Sequence, residues 1–244
     1  RLNRRALLSA AVGAVAFPCV QTTEAQESGW TLQDDGNGPP ARWDHVLVAD
    51  SNGNSLLLFG GRDGNGVAFA DLWSFDLASQ SWTELQDGPA ARFGSAAAVL
   101  PDNSGFLLFG GQADEFFADL WQYDFTTGEW SLLDDGSGTA PSPRYGLGGA
   151  FDADDRFIVS HGFTFEGRFD DTWAFDTATG WVDISPAPES RPLRRCLHEL
   201  ATVDTDHLLL YAGCSSGYGP CPQGDLWRFT PATRSMAPPM PFTI

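Results

Sequence analysis

Short apolar runs set the rhythm of this chain. After Trp30 they come a few residues at a time, as in "HVLVAD", "SLLLFGG", "DLWSFDL" and "SWTEL", each bounded by Gly, Pro, Asp or Asn. Apolar and polar positions alternate within the runs, the pattern of half-buried strands. No long stretch repeats its apolar residues at helical spacing. The 27 glycines and 16 prolines supply the many turns such strands need. The pattern predicts an all-β chain of many short strands.

The runs are themselves periodic. Aligned at the glycine doublet, they give Gly60-Gly61, Gly110-Gly111, His161-Gly162 and Ala212-Gly213, spaced 50, 51 and 51 residues. An aspartate recurs at Asp71, Asp119, Asp171 and Asp225, and an arginine at Arg42, Arg92, Arg144 and Arg195. Trp43, Phe93, Tyr145 and Cys196 follow the arginines. Each unit reads as four strands. In the second they are "RFGSAAAVL", "GFLLFGG", "DLWQYDF" and "EWSLL". The glycine pair ends the second strand, where a side chain would crowd a neighbour or forbid the backbone angles. The third strand sets Trp121 and Tyr123 on one face and Leu120 and Gln122 on the other, and Trp130 is placed to pack against the next sheet. One four-stranded sheet cannot bury both of its faces, so such units stack around an axis.

These features resemble the kelch repeat, whose period is about 50 residues, over nearly everything from Trp30 to Met236. The resemblance implies a β-propeller of the galactose-oxidase-like kind over residues 26–244, with units at 42–84, 92–133, 144–184 and 195–236. The fourth unit departs from the pattern, with Met236 where tryptophan is expected and Cys214 after its single glycine. The opening "SGWTLQDDGNGPPARW" matches "QSWTELQDGPAARF" and reads as a fourth strand that closes the ring. A ring of five to seven blades is the alternative.

Residues 1–25 follow another logic. Arg1, Arg4 and Arg5 precede an apolar run from Ala6 to Val20, and small residues at Thr23 and Ala25 offer a cleavage site before Gln26. The apolar run falls short of the roughly 20 residues a membrane-spanning helix needs. "NRRALL" resembles the twin-arginine signal, which implies export of a folded protein. The expected destinations are a bacterial or archaeal periplasm or exterior, or a thylakoid lumen. A retained membrane anchor or a partner-bound helix is the other reading, and membrane contact is expected only through the leader or a partner.

Composition narrows the partners. The formal charge is −18, every basic residue is arginine, and 24 aspartates stand against 8 glutamates. Such a surface repels nucleic acid and anionic lipid. The Asp-rich turns at Asp50, Asp102, Asp152 and Asp204 invite a calcium reading. Each falls between the first and second strands of its unit, however, where hairpins favour Asp, Asn and Gly. No metal site and no cofactor are expected. Cys214 and Cys221 bracket a loop and are the disulfide candidate, with Cys196 a buried thiol able to exchange with them. His45 and His198 share one repeat position and are expected to be hydrogen-bonded near the ring.

Kelch enzymes give the alternative reading. Galactose oxidase places two tyrosines, one joined to a cysteine, and two histidines on copper, and no residue-by-residue match to that site emerges here. "EFFADLWQY" is similar to an iron motif of nitrile-specifier proteins, but tyrosine replaces its histidine. The repeated arginines imitate the ring-face arginines of sialic-acid mutarotases, yet the repeat itself supplies them. No catalytic residue is assigned. An enzyme or carbohydrate-binding module acting at the central mouth, mutarotase-like or oxidase-like, remains the rival.

Function is best sought where the units disagree. Phe69, Phe117 and Phe169 each stand two residues before the repeated aspartate and belong to the frame. Glu115, Phe116, Phe163, Phe165, Glu166, Arg168 and Tyr218 have no counterparts, and they crowd the loops between second and third strands. Aromatic and arginine residues on variable loops suit an interface. The expectation is a non-enzymatic propeller whose loops bind another protein or a membrane-associated complex such as a photosynthetic one.

Overall fold

The computed structural model describes residues 29–33, 36–204 and 206–231, and the backbone of 235–237. The chain divides into two compact units, residues 1–32 and 33–244. The leader expected over residues 1–25 lies outside the described residues. In the stretch expected to close the ring, the described residues before Trp43 form no strand.

Among the described residues the second unit holds four antiparallel four-stranded sheets. The first contains β1 (Val46–Asp50), β2 (Ser55–Phe59), β3 (Leu72–Asp76) and β4 (Ser81–Glu84). The second contains β5 (Ala96–Val99), β6 (Gly105–Phe109), β7 (Leu120–Asp124) and β8 (Trp130–Asp134). The third contains β9 (Gly148–Phe151), β10 (Phe157–Ser160), β13 (Thr172–Asp176) and β14 (Gly180–Asp183). A small hairpin, β11 (Phe163–Thr164) and β12 (Gly167–Arg168), is inserted into its second loop. The fourth sheet contains β15 (Glu199–Thr202), β16 (Leu208–Tyr211), β17 (Leu226–Thr230) and β18 (Ser235–Ala237). The order of strands in space follows the order in sequence in every sheet. This is the blade arrangement of a kelch β-propeller.

The core lies between blades. Leu57 and Phe59 of the first blade meet Phe106, Leu108 and Tyr123 of the second. Leu107 and Phe109, on the opposite face of the second, meet Phe157, Val159, Phe175 and Trp181 of the third. Ile158 and Ala174 then meet Leu208 and Phe229 of the fourth. Alternation along β6 and β10 therefore feeds two cores, one on each side of the sheet. One aromatic pairing recurs. Phe59 packs 5.2 Å from Trp130 and Phe109 packs 5.0 Å from Trp181, so each tryptophan anchors its blade to the preceding one. Trp130 thus faces backwards, toward the first blade, rather than toward the third as its sequence position implies. Tyr211 stands where Phe59 and Phe109 stand, and it is 46% exposed.

The first strands turn toward a common axis, with β1 packed on β5, β5 on β9 and β9 on β15. Among the described residues no equivalent packing joins β15 to β1. A belt of peptide hydrogen bonds runs along the series. Gly94 N–H donates to Asp44 O at 2.8 Å, Gly146 N–H to Gly94 O at 2.8 Å, and Leu197 N–H to Gly146 O at 2.7 Å. All four residues are left-handed, with φ of 55, 65, 64 and 56° for Asp44, Gly94, Gly146 and Leu197. A second set of bonds ties blade to blade: Gly61, Gly111 and Gly162 donate to the carbonyls of Arg92, Arg144 and Arg195.

Candidate functional site

The repeated arginine and aspartate meet in the interior. Arg92 Nη1 and Nη2 donate to Asp119 Oδ1 and Oδ2 at 2.6 and 2.9 Å, and the same fork joins Arg42 to Asp71, Arg144 to Asp171 and Arg195 to Asp225. The indole N–H of Trp73, Trp121, Trp173 or Trp227 donates to the second carboxylate oxygen. The guanidinium also reaches the carbonyl at the end of its second strand, that of Gly60, Gly110, His161 or Ala212. Phe69, Phe117 and Phe169 cover the arginines of their units at 4.1, 4.0 and 3.9 Å. Burial alone raises these carboxyls. The arginine and tryptophan hydrogen bonds outweigh it and hold all four below the usual range. Every guanidinium nitrogen is engaged within the chain, so these arginines are not available to a ligand in the way ring-face arginines would be. They latch each blade.

The loops between second and third strands bring the irregular residues together. The rings of Phe116 and Phe165 lie 4.9 Å apart, and Phe163 lies 6.2 Å from Phe116 and 6.4 Å from Phe165, all edge to face. The inserted β11–β12 hairpin makes this possible by lifting Phe165 to its tip, where it is 78% exposed. Glu166 follows it into solvent. Glu115 is exposed beside Phe116, and its carbonyl accepts the Ala113 N–H at 2.8 Å. Arg168, on β12, faces the fourth blade. It donates to Cys214 O at 3.0 Å and Ser216 O at 2.6 Å, and it lies 5.3 Å from the centre of the Phe163 ring. Tyr218 sits next to it under Arg194, 5.5 Å from guanidinium to ring. The seven loop residues thus occupy one neighbourhood spanning the second, third and fourth blades.

That neighbourhood extends through residues the sequence assigned to the frame. Tyr145 packs 6.1 Å from Phe163 and 5.7 Å from Phe93, while Arg62 bridges Phe93 at 4.3 Å and Trp43 at 5.7 Å. Trp43 is 52% exposed. Aromatic residues following the repeated arginine therefore continue the loop patch from the third blade to the first. The signal was present in the shared offset of Trp43, Phe93 and Tyr145, although nothing in one unit shows that it meets the next. Beside the patch lies an open pocket of about 380 Å³ walled by Phe116, Pro143, Phe165 and Phe169, with Ser142, Thr164 and Glu166 at its edge.

The axis has its own pocket, of about 410 Å³, formed by the first strands of all four blades. Asp44, His45, Ser95, His198 and Glu199 are its polar residues. Asp44 is paired to Arg62 at 2.8 Å. Contrary to expectation, neither ring nitrogen of His198 has a hydrogen-bond partner. Burial, reinforced by Arg195, drops its pKa to about 3 and keeps the ring neutral. His161 packs edge to face on it at 5.3 Å and is held neutral by the same burial. Its Nδ1 lies 2.6 Å from Ser160 Oγ, which in turn pairs with Thr172 Oγ1 at 2.9 Å, a short polar chain inside the third blade. Ser160 and His161 are both buried.

The Asp-rich turns are built on their carboxylates. Asp50 accepts the backbone N–H of Asn52 and Gly53, Asp102 that of Ser104, Asp152 those of Asp154 and Arg156, and Asp204 that of Asp206. Among the described residues no three His, Cys, Asp or Glu side chains converge as a metal site. Cys214 and Cys221 are joined as a disulfide, with Cα atoms 4.4 Å apart. Cys196 is a free, buried thiol bridged to Cys214 through their backbones.

Stacked four-stranded blades, each fixed by an Arg–Asp–Trp latch, define a kelch-type β-propeller. The chain belongs to the kelch-repeat family: residues 19–213 match the KLHDC2/KLHL20/DRC7 Kelch-repeats domain. It is similar to tRNA wybutosine-synthesizing protein 4 of Gibberella zeae, 33% identical over 58% of this chain and 14% of that protein. The protein of the same name from Candida albicans is 40% identical over 33% of this chain and 11% of its own length. Acyl-CoA-binding domain-containing protein 5 of Arabidopsis thaliana is 31% identical over 58% of this chain and 22% of that protein. The chain therefore spans less than a quarter of each of these relatives.

Proposed function

We propose that this chain is an exported, non-enzymatic kelch propeller that serves as a protein-interaction or assembly subunit. Kelch repeats generally serve protein–protein interaction, and the Arg–Asp–Trp latches are spent on holding the blades. The observation that carries the reading is the convergence of Phe116, Phe163, Phe165, Arg168 and Tyr218, drawn from three blades, into one partly exposed aromatic and charged patch. An aromatic this exposed at a hairpin tip gains little by folding alone, and a partner would bury it.

The leader supports a site of action outside the cytoplasm, in a periplasm, at the cell exterior, or in a thylakoid lumen attached to a membrane complex. A disulfide in the fourth blade fits an oxidising compartment. Among the described residues no helix is long and apolar enough to cross a membrane. The rival reading, an enzyme or sugar-binding module at the central mouth, is favoured by the carboxylates and histidines of the axial pocket. The test is isolation of the native protein with a photo-crosslinking residue at Phe165, followed by mass spectrometry of its N-terminus and crosslinks. A processed N-terminus and one dominant protein companion are expected. A free monomer carrying a sugar or metal, with no crosslink, would overturn the reading.

A further inference from the structure

The loop patch also indicates what sort of partner it fits, an inference that rests on the interface reading above. Its cations are committed within the chain. Arg168 holds two carbonyls of the fourth blade, Arg191 and Arg194 both hold Asp170, and Arg144 is locked to Asp171. Its anions are not. Asp114, Glu115 and Glu166 are exposed around Phe116 and Phe165, and none takes part in an ion pair among the described residues. The unpaired charged side chains flanking Phe116 and Phe165 are thus acidic, and they outnumber the charge left by Arg168 and by the Arg191–Asp170–Arg194 cluster, within a chain of net charge −18.

The pocket beside these residues has mainly apolar walls, with Glu166 among its lining. Phe116, Phe165, Phe169 and Pro143 wall a space of about 380 Å³, open on one side. Phe169 is itself held from beneath by the Arg144 guanidinium, 3.9 Å from its ring, so that wall is fixed before any partner arrives. A preformed apolar socket with a polar rim is the form taken by an anchor-residue site.

We propose that this socket receives one aromatic or large aliphatic side chain from a basic peptide segment of the partner. The anchor enters the space walled by Phe116, Phe165, Phe169 and Pro143, and lysine or arginine residues on either side of it pair with Asp114, Glu115 and Glu166. The apolar contact supplies the affinity, and the carboxylates set the sign of the accepted segment and speed its approach.

The test uses the full chain and two fluorescent 12-residue peptides, one with a central Phe flanked by lysines and one with the same Phe flanked by glutamates. Fluorescence anisotropy is read at low salt and at about 0.5 M salt, where the screening length is only a few ångströms. The lysine-flanked peptide should bind, weaken at high salt, and weaken by about tenfold or more with either Phe165→Ser or the pair E115K and E166K. Phe165 is exposed, so thermal melting should show these variants folded. Equal binding of the glutamate-flanked peptide, no binding of the lysine-flanked one, or indifference to both changes would overturn the proposal. Native companions separate the two readings. If E115K and E166K keep them while Phe165→Ser loses them, the basic segment is wrong and the interface stands. If Phe165→Ser keeps them, the interface itself falls.

Discussion

At the scale of single residues, the buried Arg–Asp–Trp latch does most to explain why the chain repeats itself. The arginine satisfies a carboxylate, a strand-end carbonyl and a carbonyl two residues before it, and few side chains could satisfy so many acceptors. Removing one partner leaves the other charge buried. Arg92→Met should therefore cost about 3–5 kcal/mol in urea denaturation, and Arg92→Lys should not rescue it because an ammonium cannot reproduce the fork. The four latch carboxyls are held low, so their contribution is complete above the ordinary aspartate pKa and is lost as pH falls through their folded values. His198 acts over a higher window. Its folded pKa of about 3 lies below the ordinary value of 6.5, so acid protonates the unfolded chain first. Between those values the native state should lose roughly 1.4 kcal/mol per pH unit on its account. His198→Phe, compared with wild type at pH 7 and pH 5, should flatten that slope. An unchanged slope would show that the ring is not buried neutral.

At the scale of the element, the repeat was legible because each of its residues meets a local demand. Apolar runs, turn residues and the spaced Asp and Trp were enough to read four-stranded blades, since alternation and turn chemistry act over a few residues. Angles between blades act over fifty, and there the reading ran out. Nothing in one unit says that Trp130 faces Phe59 rather than the third blade, or that His198 would be buried without a hydrogen bond. The loop residues were legible as a set because they broke the pattern, but their union with Trp43, Phe93 and Tyr145 needed the curvature of the stack. The strand-end doublet shows where sequence variation and geometry meet. Gly60, Gly110, His161 and Ala212 all adopt positive φ, from 59 to 69°. A Cβ on Gly60 would lie 2.5 Å from Arg92 O of the next blade, so Gly60→Ala should cost about 1–3 kcal/mol. Ala212 carries the strain of a left-handed L-residue, and Ala212→Gly should stabilise by about 1 kcal/mol. Chemical denaturation of the two variants checks both signs.

At the scale of the whole unit, blades hold one another through shared cores, backbone hydrogen bonds across the seams and the Phe–Trp contacts. Stability should thus be distributed blade by blade, with neighbour terms dominating. Phe109→Ala removes a buried ring that contacts Trp181 across a seam. It should cost about 3–5 kcal/mol and loosen the second and third blades together. With the frame so occupied, function falls to surfaces the frame does not use, and two compete: the aromatic loop patch and the axial pocket. Amide hydrogen exchange of the protein, alone and in its native complex, distinguishes them most directly. The account predicts protection on complex formation at residues 112–117, 163–169 and 214–219, with the first strands unchanged. Protection confined to residues 44–48 and 197–200 around the axial pocket would contradict it.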